Sequence, residues 1–226
     1  MKRSEINHAI KDMEQLCKKI GFALPPFCNW TMEDWQQKGA ECDEIRDNML
    51  GWDITDYGLG RFREVGFALI TIRNGNLKNK KYLKPYAEKL LMLYPGQSAP
   101  MHFHWNKMED IINRGGNEVY ITVYNSTEDE EFADTDVTVS KDGVEITVPA
   151  GSKITLLPGE SITIPPYLYH DFLMPAEGGA TLLGEVSMCN DDETDNRFYE
   201  PIGRFPEIEE DEAPYRLLCT EYPGKK

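Results

Sequence analysis

Three of the four histidines in this chain fall into one pattern that suits metal chemistry. His102 and His104 stand two apart, Glu109 follows five residues later, and His170 lies downstream. Alternate side chains on a strand share a face, so His102 and His104 point together while Phe103 points into packing. Glu109 has the wrong parity for that face, which predicts a turn at Asn106-Lys107 that returns it to the histidines. His170 follows Pro165-Pro166-Tyr167, where the prolines stiffen the backbone ahead of a strand. Three neutral imidazoles and a carboxylate make a donor set for Mn²⁺, Co²⁺, Zn²⁺ or Fe²⁺, with one coordination position left open. No cysteine stands near either segment, which excludes a closed thiolate site.

Two further residues fit chemistry beside such an ion. Lys107 lies inside the predicted turn, where its ammonium can hold a developing oxyanion or donate a proton. Glu185 interrupts the apolar run 180–186. A carboxylate in a buried strand must be paired, metal-bound or catalytic, and Glu185 is the candidate general base. The polar loop after it carries Asp192 and Asp195, which suit sugar-like hydroxyls. Arg197 and Arg204 both qualify to hold a substrate oxygen, and Trp105 is a candidate stacking surface.

These residues need a scaffold of short strands. Apolar runs bounded by Gly, Pro, Asn and Asp predict strands at 65–73, 89–94, 118–124, 136–140, 144–148, 153–157, 160–164, 170–174 and 180–187. Lys141-Asp142-Gly143 reads as a hairpin turn. Many short strands at this pitch mean a sandwich or barrel. The first third reads differently. Ile6, Ile10, Met13, Leu16, Cys17 and Ile20 recur at helical spacing over 4–20, with Ser4 as the cap and Gly21 as the stop. Thr31 is placed to cap a short helix over 32–38, and a further turn is expected over 42–49. The acidic run 207–212 reads as a solvated turn.

The 226 residues carry a net charge of −15, a field that repels phosphate backbones and argues against nucleic acid as a partner. No apolar run is long enough to span a bilayer, and the five cysteines are widely spaced. The expected setting is cytoplasmic and reducing, with no membrane partner.

Glycines frame the histidines. Gly96, His102, His104, Glu109 and Gly116 match in full the first cupin motif, G(x)5HxH(x)3,4E(x)6G. Gly159, Pro165 and His170 match the second, G(x)5PxG(x)2H(x)3N, except that Tyr167 replaces a glycine and Met174 an asparagine. The chain therefore resembles the cupin superfamily over roughly residues 60–190. The resemblance implies a mainly β, jelly-roll barrel over 59–226, with 1–58 as a helical extension packed on it, one structural unit in all.

The segments HFHWNKMED, PPYLYHDF and LLGEVSMCNDDETDNRF narrow this resemblance to the D-lyxose isomerase family, over nearly the whole chain. That family implies a Mn²⁺-dependent homodimer acting on monosaccharides, interconverting D-lyxose with D-xylulose and often D-mannose with D-fructose. Carried over by motif position, His102, His104, Glu109 and His170 bind the metal. Lys107 and Glu185 meet the reacting end of the sugar, and Glu109 shares in proton transfer. Asp192, Asp195 and Arg204 are expected to contact substrate, although no spacing fixes them. Three rivals remain at this stage: an Fe²⁺ dioxygenase, a non-catalytic sugar-binding cupin and a phosphosugar isomerase, the last disfavoured by the few Lys and Arg in the site segments.

Overall fold

A computed structural model describes residues 1–224 of the chain. Helix α1 (Arg3–Ile20) opens the fold and stops at Gly21, whose φ of 85° is the left-handed conformation that suits glycine. Two short helices follow, α2 (Met32–Gln36) and α3 (Asp43–Asp47). Thr31 caps α2 with a reciprocal capping box to Asp34. Strand β1 (Gly51–Thr55) lies inside the stretch expected to be helical, so the sheet begins before residue 58.

The remaining strands are β2 (Phe67–Arg73), β3 (Tyr86–Leu93), β4 (Ser98–Phe103), β5 (Glu109–Gly115), β6 (Val119–Asn125) and β7 (Val137–Lys141). They continue as β8 (Val144–Val148), β9 (Ser152–Leu156), β10 (Ser161–Ile164), β11 (Leu168–Leu173), β12 (Thr181–Met188) and β13 (Arg197–Phe198). An eight-stranded sheet runs β1-β2-β3-β12-β5-β10-β7-β8, and a five-stranded sheet runs β13-β4-β11-β6-β9. All named pairings are antiparallel, so this is the expected mainly β barrel with a helical start.

Leu91, Ile111, Val123, Ile154, Phe172 and Leu183 fill the space between the sheets. The outer face of β1, β2, β3 and β12 is covered by α1, where Ile6, Ile10 and Met13 meet Trp52, Ile70, Leu90, Met92 and Leu182. Strands buried on both faces read as continuous apolar runs, which is why β3 and β12 lack clean alternation. A buried charge inside either strand is then conspicuous, and each carries one: Lys89 and Glu185, directly opposite each other in register.

One expectation is corrected. Ser4 does not cap α1; its backbone N–H and hydroxyl both donate to Asp211. The acidic run is solvent-exposed, as expected, but it is also tied down. Glu210 and Glu221 bind the buried Arg3 guanidinium, and Glu212 accepts from Asn7. Carboxylates at the positive end of a helix are doubly stabilised there, by its exposed N–H groups and by its dipole. Arg3→Ala is expected to lower stability by about 2 kcal/mol, the scale of hydrogen bonds to charged groups, read as a lower urea midpoint.

Candidate active site

The four candidate metal ligands converge. Ligand atoms of His102, His104, Glu109 and His170 all lie within 4.8 Å of one another. Register explains it: β4 and β11 pair His102 opposite His170, and the chain turns after Phe103 so that Glu109 opens β5. That turn is the one the parity argument predicted. Gly116 ends the motif because its φ is 109° and a Cβ there would meet the Ala180 carbonyl at 2.3 Å. At the aberrant glycine position Tyr167 still takes a left-handed φ of 62°, and its N–H donates to the His104 carbonyl at 2.9 Å. The loop keeps the glycine-like conformation without the glycine.

Each imidazole is fixed by its far nitrogen. Nδ1 of His102 faces the Pro100 carbonyl at 2.9 Å, that of His104 the Asp195 carbonyl at 2.7 Å, and that of His170 the Leu168 carbonyl at 3.0 Å. A carbonyl only accepts, so each Nδ1 carries the proton and each Nε2 presents a lone pair. Among the described residues, no hydrogen-bond donor meets the buried Nε2 of His104 or of His170. Both face Glu109 Oε1, at 3.3 and 3.0 Å. Acceptors that converge on one buried point need a cation between them, and this donor set suits a divalent transition ion.

Burial holds the pKa of His102 well below the usual histidine value, assisted by the other two imidazoles. Burial and then the Lys107 charge lower that of His104. Unfolding releases both to about 6.5, so the unfolded state binds more protons below that pH. The metal-free protein is expected to hold this stability above pH 6.5 and lose it as pH falls, by up to about 1.4 kcal/mol per unit for each imidazole. Urea melts across pH 5–8 would read the slope.

Lys107 is buried between two carboxylates, with Nζ 2.7 Å from Glu109 Oε2 and 2.8 Å from Glu185 Oε1. Burial opposes its charge, but Glu109 and Glu185 overcome this and raise its pKa. Lys89 stands 3.3 Å from the same Glu185 oxygen and donates to Asn190. Asp192 lines the cavity. Burial opposes its ionisation, yet Lys89, Arg204 and Lys107 keep its pKa below the usual carboxylate range.

The arginines separate. Arg204 lines the cavity, bridges Asp53 and Asp192, and leaves Nη1 buried with no hydrogen-bond partner among the described residues. Arg197 is turned to Glu130, away from the cavity lining. Trp105 also donates to Glu130 and lies outside the cavity lining, whose aromatics are Tyr57, Phe67, Phe172 and Phe198. Asp195 lies outside the cavity lining; its carboxylate accepts from the Asn106 side chain and from the backbone N–H groups of Asn106 and Lys107, so it holds the ligand turn. Asp195→Ala is expected to weaken metal binding 10- to 100-fold, as losses behind a ligand do, measurable by titration calorimetry with Mn²⁺.

Lys89, Asn190 and Asp53 were missed. A lysine inside an apolar strand carries the same signal as Glu185, and the rule applied to one identifies the other.

A jelly-roll barrel with inward histidines and a carboxylate on the motif spacing defines a cupin with a candidate metal centre. The solved L-ribose isomerase of Cellulomonas parahominis, in complex with L-ribose, shares the fold with a TM-score of 0.61 at 16% identity, over 92% of this chain and 98% of that one. The D-lyxose isomerase family model matches residues 1–222, and the chain belongs to that family. A D-lyxose/D-mannose isomerase from Escherichia coli O157:H7 is 45% identical over 98% of both chains. One from Serratia proteamaculans is 44% identical over the same shares.

Proposed function

We propose that this aldose–ketose isomerase interconverts D-lyxose and D-xylulose, and D-mannose and D-fructose, through a cis-enediolate. The observation that carries the mechanism is the Glu109–Lys107–Glu185 chain of contacts, which sets a buried carboxylate beside the metal-ligand cluster. Relatives named D-lyxose/D-mannose isomerase support the choice of sugars.

His102, His104, Glu109 and His170 would hold the ion, for which we favour Mn²⁺; Co²⁺, Zn²⁺ and Fe²⁺ suit the same donors. When bound, it supplies a Lewis acid for two vicinal sugar oxygens. Glu185 takes the C2 proton of the open-chain aldose and returns it to C1. Both lysine contacts fall on its Oε1, which leaves Oε2 for the carbon acid. Lys107 faces the enediolate charge, and Glu109 shares in moving the hydroxyl proton from O2 to O1. Arg204 and Asp192 hold hydroxyls further along the sugar; the unpartnered Nη1 of Arg204 supports that role. We also expect a homodimer.

Incubating metal-reconstituted protein with D-lyxose and D-mannose and assaying ketose tests the reading. Ketose from neither sugar would sink it, and oxygen uptake instead would favour a dioxygenase. Phosphorylated sugars are expected to be poor substrates, because Asp53, Asp191, Asp192 and Glu193 crowd the approach.

A further inference from the structure

The space beside the histidines is narrow, about 40 Å³, and must hold the ion as well as the reacting end of the substrate. A second cavity of about 300 Å³ lies alongside. Asp192 lines both.

The rest of the partition is one layer of polar side chains. Asp53 on the outer side receives a hydrogen bond from Arg204 on the inner side. Asn190, also outer, accepts from Lys89 and Lys107, both inner. Strand register builds this layer. Thr71 lies opposite Lys89 and Lys89 opposite Glu185, so polar residues run across the inner face from the candidate base toward the outer cavity. Its lining includes Met49, Asn76 and Leu77, and Asp47, Asp53, Asp191, Asp192 and Glu193 outweigh Lys78 to make it acidic. An acidic, amide-rich lining suits neutral hydroxyls and opposes anions.

We infer that the sugar straddles the two cavities, its reacting end inside and its hydroxyl tail outside the Asp192–Arg204 layer, and that the Met49 and Leu77 side chains lining the outer cavity set the chain length accepted. This rests on the isomerase reading and adds a specificity site to it.

Leu77→Trp and Met49→Phe test it, because both positions are exposed and tolerate larger side chains. The expected result is a fall of tenfold or more in kcat/KM for D-mannose, with D-lyxose held within about threefold. D-Lyxose turnover doubles as the check on folding. Binding of polyols gives a readout without turnover: mannitol should lose affinity in both variants and D-arabinitol should not. Equal effects on five- and six-carbon compounds, or no effect on either, would overturn the subsite. Failure of the parent protein to isomerise either sugar would instead remove the isomerase reading.

Discussion

Glu185→Gln is expected to lower kcat on D-lyxose by about a thousandfold, within the 10²–10⁴ that a positioned base contributes. The amide keeps the shape of the side chain but cannot accept the carbon proton. Glu185 lies outside the four-ligand cluster, so Mn²⁺ affinity should change little. KM should also hold, because the lost interaction belongs to proton transfer and not to ground-state binding. The checks are single-turnover ketose formation, Mn²⁺ titration, and exchange of the C2 proton of D-lyxose with solvent. Exchange that persists while ketose formation stops would place the base elsewhere.

Lys107→Met is expected to damage both activity and fold. It removes the cation between Glu109 and Glu185. Glu185 keeps Lys89 within 3.3 Å, whereas Glu109 is left facing imidazole lone pairs. Breaking a buried pair on one side costs about 3–5 kcal/mol, so the metal-free variant should melt much earlier than its parent. Metal should restore part of that loss by replacing the missing positive charge at Glu109. Activity should stay low even when metal-loaded, by about 10²–10³, the usual cost of one lost oxyanion-stabilising donor. Lys107→Arg is not expected to rescue it, since a planar guanidinium cannot occupy the same point between two carboxylates. Calorimetry with and without Mn²⁺, alongside ketose assays, separates the two effects.

The metal cluster was legible because its information is local. HxH sets two rings on one face, and parity alone required a turn before Glu109. The partition was not legible, because Asp53, Lys89, Asp192 and Arg204 come from distant segments whose pairing no short window reveals. Strand β5 escaped notice because Glu109–Gly115 mixes charged and amide residues with two isoleucines. Its polar side chains are the site itself or its supports: Glu109 bonds Lys107, Asp110 accepts from Thr163, and Asn113 donates to the Leu156 carbonyl. The same cause hid the backbone contacts of Asp195. A carboxylate in a polar loop suggests hydroxyl binding, and only the fold shows it spent on the backbone of residues 106 and 107.

The clasp between Arg3 and the acidic run has a consequence for how the chain reaches its native state. It joins segments some 207 residues apart, near the largest separation the chain allows. During synthesis α1 leaves the ribosome long before its partners exist, and its apolar face must wait for β1, β2, β3 and β12 as well. Contacts this far apart in sequence make for slow folding, since loop closure precedes any return. The helix is therefore made well before the strands it packs on and is expected to be among the last elements to lock.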